Sequence, residues 1–458
     1  MLLPCDPLNS ADELDSARRR RRPCATYRRA NVDAGIVQPK AYDVDRAATL
    51  EALRAFLAAT PALLDAEAEH LSRCNPDLVL SDATFLGLAA ARRARVPAAL
   101  VSNFTFDTCY SYLTCSSSSS RSSSEQEAPL ERAEMLALAE QTRDMYACAN
   151  LVVRLPGVIP LPAFEQDMAL PEPRTIDAWL TAPQPPPPPP PPQADDDDDD
   201  DNEFTPEMSE RLRRPAREIP KRRPSLEIVD GPLIVRAPSE RSRAYTRAFR
   251  AQTLGSVFSV PRDVATRDDL RVLLVSFGGQ VVGAAPDRAL DTLLPNDSSD
   301  AYWIAILSSG SSSASDAAAL PARFYAPPPG TDTYVPDLMA ISDVVLGKLG
   351  YGTCAESLSS STAFVYVPRP LFIEEHGLRA LMRRHEPSKG TAVQLARDAF
   401  ERGHWAQAVR RAYDRGKAKK DVRRKLGWAG LDGEGDEGAR IASILEDFAT
   451  RWHSTRTN

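Results

Sequence analysis

From Tyr27 onward, short apolar runs without polar alternation take turns with longer stretches whose apolar residues recur at helical spacing. A strand that is apolar on both faces is one covered by helices on both sides, so the pattern predicts a parallel sheet. Residues 27–38 read as strand-like. Leu50, Leu53, Phe56, Leu57, Leu63 and Leu64 predict an amphipathic helix over residues 45–73, which Pro61 is expected to kink or divide. The runs at 77–80 and 98–101 read as strands flanking a helix at 85–95, a βαβ unit, and residues 151–154 resume the pattern after a serine-rich insert at 116–124. A second series of strands is expected at 272–275, 303–307, 344–346 and 364–367. Two α/β halves predict a ligand crevice between them, at the carboxyl ends of the strands.

The stretch between the halves cannot belong to a core. Residues 185–192 are all proline and residues 195–201 all aspartate, with clustered Arg and Lys beyond them, a composition expected to be disordered. The expected organisation is a disordered tail (1–25), a first Rossmann-like domain (26–164), a disordered insertion (165–224), an interdomain segment (225–268), a second Rossmann-like domain (269–430) and a C-terminal helix with its tail (431–458). The aspartate run accounts for the whole formal net charge of −7, so the folded part is balanced and no nucleic-acid face is indicated. The basic clusters at 18–22 and 419–425 read as solvated tails or faces. Seven cysteines without a CxxC pair suggest neither a metal knuckle nor a disulfide framework. No apolar run approaches the ~20 residues that span a bilayer, and residues 1–24 lack the apolar stretch of a signal peptide. The expectation is a reduced, cytoplasmic protein.

Candidate chemistry concentrates in the second half. Between an expected strand and helix lies Gly347-Lys348-Leu349-Gly350-Tyr351-Gly352-Thr353. A glycine-bearing turn entering a helix leaves backbone N–H groups unpaired at the positive end of the helix dipole, a site suited to a diphosphate. Gly350 and Gly352 would admit the phosphates, Thr353 would cap the helix or donate its hydroxyl, and Lys348 would neutralise charge. Glu356 has two readings: a carboxylate accepting from ribose hydroxyls, or the acidic partner of Thr353 in a capping box. Gly278, Gly279 and Gln280 form a second strand-end turn, either a tight turn or a ligand loop. Glu374 and Glu375 either hold sugar hydroxyls or open a helix. Asp82 and Asp107, near strand ends of the first half, are candidate general bases or else helix caps and turn residues. His70, His385, His404 and His453 have no partner at ligand spacing, and no metal is expected. Residues 310–315 resemble the phosphate loop of GHMP kinases but read as a surface loop.

The stretches PDLVLSD (76–82), VPAALVSNFTFD (96–107), RLPGVIPLPAF (154–164), VSFGGQ (275–280), YVPDLMAISDVVLGKLGYGTCAES (334–357) and FIEEHGL (372–378), with Gly403-His404-Trp405, resemble the N-terminal glycosyltransferase-like region of L-arabinokinases. The resemblance runs in order from about residue 30 to 412. In plant L-arabinokinases this region precedes a GHMP sugar-kinase domain, for which no counterpart is expected here. The region is itself similar to GT-B glycosyltransferases, including the bacterial enzyme that adds N-acetylglucosamine to lipid-linked cell-wall precursors. The resemblance implies a GT-B-like fold of two Rossmann-like domains, with the donor diphosphate at Gly350–Thr353, ribose at Glu356 and the donor sugar near Glu375. It also implies that the first domain lacks its first strand and the Gly-His-Gly-x-Gly-His loop that faces the acceptor. The function expected is transfer of a hexosyl or pentosyl group from a nucleoside-diphosphate sugar, UDP-sugar foremost, to an unknown acceptor without a required cofactor. The alternatives are a nucleotide-sugar-binding scaffold without turnover and, behind it, a sugar kinase.

Overall fold

The computed structural model describes residues 27–114, 129–164, 226–243, 245–277, 290–296, 301–308, 320–384, 392–427 and 437–455. The insertion at 165–224, the turn Gly278-Gly279-Gln280, His385 and the 310–315 stretch lie outside them.

Two parallel sheets organise the chain, which gives the expected α/β class. The first contains β1 (Val79–Ser81), β2 (Ala98–Ser102), β3 (Leu151–Arg154) and β4 (Glu227–Asp230) in sequential order. The second contains β5 (Leu270–Ser276), β6 (Tyr302–Leu307), β7 (Phe324–Tyr325), β8 (Val344–Gly347), β9 (Ala363–Tyr366) and β10 (Ala392–Gln394) in the order β10-β9-β8-β5-β6-β7. The interdomain segment thus donates β4 to the first sheet, where Leu151 stands opposite Glu227. Residues 27–38 form no strand, contrary to expectation, and among the described residues none precedes Val79.

The unalternating apolar runs have the cause inferred for them. On β5, Leu273 and Val275 point into a cluster with Trp303, Phe324 and Trp405, while Val272 and Leu274 point into another with Ile304, Ile341 and Leu378. Both faces are therefore covered. In the first domain the helices α1 (Arg46–Cys74), α2 (Leu86–Arg93), α3 (Phe106–Leu113) and α4 (Pro129–Tyr146) enclose Leu53, Phe56, Phe85, Leu100, Tyr110 and Tyr146. α1 runs unbroken through Pro61, and Asp45 caps it by accepting from the Ala48 N–H at 2.8 Å. By length and composition α1 passes for a membrane span. Its Leu50, Leu53, Phe56 and Leu71, however, belong to this core, and Arg54 pairs with Glu134 at 2.8 Å.

The remaining helices that position the site are α5 (Arg247–Phe258), α6 (Val335–Ile341), α7 (Tyr351–Ser360), α8 (Glu374–Arg384), α9 (Ala406–Leu426) and α10 (Glu437–Ser454). The basic cluster at 419–425 is a solvated face only in part: Lys419, Asp421, Val422 and Lys425 are exposed, but two of its cations are tied into the fold. Lys420 is buried and donates to Met339 O (2.8 Å), Ser360 O (3.1 Å) and Thr362 Oγ1 (2.6 Å). Arg424 pairs with buried Asp343 at 2.8 Å. These contacts fasten α9 across the back of the second sheet.

The chain ends cross over. Ala41 and Tyr42 sit in the second domain's core, with Tyr42 edge-on to Phe400 and Asp43 paired with Arg397 at 2.9 Å. In the other direction α10 lays Ile441, Leu445 and Phe448 on Ala99, Leu151 and Val153 of the first sheet. Each domain thereby completes the other.

Candidate functional site

The carboxyl ends of both sheets converge on the start of α8. Asn103, just past β2, donates to Glu374 Oε1 at 3.3 Å. Tyr112 of α3 meets His376 at 3.0 Å between Oη and Nε2. The loop after β3 packs directly on α8, and here two glycines are required. A Cβ on Gly377 would stand 2.1 Å from the Gly157 carbonyl oxygen, and Gly157 itself has φ +82°. No other residue allows such an approach without displacing backbone. The motifs RLPGVIPLPAF and FIEEHGL are thus the two sides of one interdomain contact.

Next to it lies the glycine turn. β8 ends at Gly347, whose Cβ would meet the Ser276 carbonyl oxygen at 2.0 Å, and the chain passes through Lys348 and Leu349 into α7. Gly350 is the N-cap and makes no side-chain cap hydrogen bond; the first intrahelical bond is from Cys354 N to Gly350 O at 2.9 Å. Thr353 therefore lies inside the first turn and caps nothing, which removes the capping-box reading of Glu356. Among the described residues a Cβ at Gly350 or Gly352 would meet nothing within 4 Å. Packing against the described residues does not explain these two glycines at the helix start. Lys348 is half-buried on the same turn.

Arg369, which drew no attention in the sequence, holds the turn in place. It is 3% exposed, its guanidinium donates to the Leu349 carbonyl, and it lies 4.2 Å from the centre of the Phe372 ring. Its backbone N–H donates to Glu375 Oε2 at 2.8 Å, and its guanidinium is 3.6 Å from Glu375 and 3.8 Å from Glu374. Glu374 and Glu375 do open a helix, as one reading had it, but they are buried there. Burial pushes the Glu375 carboxyl up, against the pull of Arg369.

Glu356 is 3% exposed, and its Oε1 takes two N–H groups of Arg236, from Nε at 2.8 Å and Nη2 at 2.7 Å. Arg236 follows β4 in the interdomain segment, too far along the chain for spacing to reveal it. Beside it the Ile234 N–H donates to the Tyr351 hydroxyl at 3.0 Å.

Of the two candidate bases, Asp82 reaches this site and Asp107 does not. Asp82 follows β1 and its side chain is open to solvent, yet the surrounding protein strips enough hydration to push its carboxyl up to about 6, and the nearby Glu374 charge adds to this. Asp82 in turn helps to raise the Tyr351 phenol, which burial pushes to about 12 against the Ile234 N–H. Asp82 is thus within electrostatic reach of both Tyr351 and Glu374, the first residues of α7 and α8. Asp107 is fully buried in the first turn of α3, and among the described residues neither carboxylate oxygen has a partner in good hydrogen-bond geometry, although Thr105 and Thr108 are near enough to favour its charge. Burial pushes it up to about 6 as well, with Thr105, Thr108 and Arg143 offsetting only part. Fully buried, it presents no oxygen to solvent or ligand. Among the described residues no group of three His, Cys, Asp or Glu side chains is placed to hold a metal ion.

No protein-family model matches the chain. Over 385 residues, 84% of the chain, it is 25% identical to an L-arabinokinase of Arabidopsis thaliana, of which it spans 27% of the length. Solved structures similar to it include a UDP-glucosyltransferase from Polygonum tinctorium (12% identity, TM-score 0.44, covering 88% of this chain and 82% of that one). The glycosyltransferase SnogD from Streptomyces nogalater is another (12% identity, TM-score 0.42, covering 91% and 85%). None of these likenesses assigns an activity to this chain.

Proposed function

We propose that the chain is a GT-B-type glycosyltransferase that takes its sugar from a nucleoside diphosphate, UDP foremost, bound at the start of α7. The observation that carries this reading is the pair Gly350 and Gly352, with no described residue within 4 Å of either Cβ position, at a helix N-terminus that no described side chain caps. The N–H groups of the first turn and the positive helix end receive the diphosphate, and Lys348 adds a positive charge on the same turn. Glu356 accepts from the ribose hydroxyls.

The reaction follows from what faces this donor. An acceptor hydroxyl between the domains attacks the anomeric carbon while its proton passes to Asp82. The bond from that carbon to the diphosphate oxygen breaks, and the electron pair leaves on the diphosphate. Attack from the face opposite the leaving group inverts the anomeric configuration. Fixed N–H groups need no reorganisation as the leaving charge develops, so no metal is required. Asp82, poised at about 6, is mostly ionised at neutral pH and still basic enough to take a proton.

The test is product formation from UDP-sugars, compared in the wild type and Asp82→Asn. Transfer that falls ~10²–10⁴-fold with donor affinity unchanged supports Asp82 as the base. Transfer that survives in Asp82→Asn removes it. A binding module without turnover makes the same donor contacts, and it is the outcome if the donor binds but no acceptor is ever glycosylated. Sugar phosphorylation by ATP would establish the kinase reading instead.

A further inference from the structure

Glu356 and Arg236 form an asymmetric pair. The guanidinium reaches Oε1 with Nε at 2.8 Å and Nη2 at 2.7 Å, whereas Oε2 accepts from no group among the described residues. The Glu356 side chain as a whole is only 3% exposed, so its orientation is fixed by what surrounds it. A carboxylate held by planar N–H donors on one oxygen, with the other not committed to a described partner, is suited to a second partner that donates from a fixed direction. Arg236 itself is 43% exposed and its charge lies 5.8 Å from the centre of the Tyr334 ring, while Tyr334 is anchored to Ala237 O at 2.7 Å. Arg236 therefore has packing of its own besides Glu356.

We propose that Arg236 is a positioning residue for the donor: by holding Oε1 it orients Glu356 and presents Oε2 to the ribose hydroxyls. The inference rests on the donor-site reading above and deepens it, since it makes discrimination for a ribonucleotide over a deoxyribonucleotide depend on a residue of the interdomain segment. Among the described residues Arg236 is also the charged group that acts on Glu356: burial pushes the carboxyl up and Arg236 opposes that. Without Arg236 the carboxyl takes up a proton more readily, and its loss of function is greatest at acid pH.

The experiment is calorimetric titration of the full chain with whichever of UDP, GDP and ADP binds, and with its 2′-deoxy counterpart, at pH 6 and pH 8. The ratio of the two dissociation constants isolates the ribose contact, because phosphate and base contributions cancel and a merely loosened fold weakens both ligands alike. We expect the wild type to prefer the ribonucleotide by roughly tenfold or more, as a hydrogen bond to a charged group gives. Arg236→Ala lowers that preference below about threefold at pH 6 and regains part of it at pH 8, whereas Arg236→Lys retains most of it. Glu356→Gln lowers the preference independently of pH, and adding Arg236→Ala to it costs nothing further. If Arg236→Ala does not fold, Arg236→Gln is read in the same way. Unchanged preference in Arg236→Ala at both pH values overturns the inference and leaves the donor site standing. Failure of the wild type to bind any of the three nucleotides overturns the donor site and the inference with it.

Discussion

Asp82 and Asp107 both follow strands of the first sheet and both have carboxyls raised to about 6, but solvent reaches only Asp82. Their pH signatures are separable. As a base, Asp82 must be ionised, so kcat/KM is expected to rise with pH through about 6 and level off above 7, which a pH–rate profile reads directly. Asp107 acts on stability. Its folded value lies above the ordinary 3.8, so the stability it contributes is complete below 3.8 and is lost as pH rises through about 6. Asp107→Asn is therefore expected to be about 2–3 kcal/mol more stable than wild type at pH 7.5 and little different near pH 4, read from urea midpoints. At Gly352 the prediction has opposite signs for fold and function. Gly352→Ala places a methyl group within a helix where no described residue lies within 4 Å, so stability should hold or rise by up to ~1 kcal/mol, while donor affinity falls. A variant that keeps full donor affinity would show that the diphosphate does not approach this turn. The residue that spacing could not supply is Arg236: it stands 120 positions before Glu356 and in an interdomain segment without a motif.

At the scale of elements, the β8–turn–α7 unit was legible because its local signals agree: an apolar run, then glycines, then helical spacing. What the signals misplace is the cap. Thr353 with Glu356 has capping-box spacing, but the helix begins earlier at Gly350 because the Cys354 N–H already reaches the Gly350 carbonyl. β7 and β10, two and three residues long, are too short for periodicity to reveal and exist through pairing with β6 and β9. The α8 contact also came from afar, since Asn103 and Glu374 are 271 positions apart. Its weak point is Gly377. In Gly377→Ala the new Cβ meets the Gly157 carbonyl oxygen at 2.1 Å, which forces backbone apart and is expected to cost about 1–3 kcal/mol in the unfolding midpoint. Because α8 carries Glu374 toward Asp82, the same change should weaken transfer by more than the stability loss explains.

For the molecule as a whole, the crossing ends decide whether two domains act as one unit. Residues 41–43 anchor in the second domain and α10 in the first, an arrangement that no local pattern predicts because each stretch looks like an ordinary amphipathic or irregular one. Phe448 is buried where α10 meets the first sheet, so Phe448→Ala is expected to cost about 3 kcal/mol or more and to destabilise the domain to which the helix does not belong in sequence. The two-sheet α/β plan itself was legible from apolar runs covered on both faces. The measurement that tests the account most directly is the thermal melting of the full chain with UDP, GDP, ADP and their sugar conjugates. A ligand that binds the folded state alone stabilises it by RT ln(1 + [L]/Kd). One nucleotide class is expected to raise the melting temperature, and the rise to be lost in Glu356→Ala and Gly352→Val although both variants melt cooperatively without ligand. A cooperative wild-type melt that no nucleotide or nucleotide sugar moves would contradict that expectation.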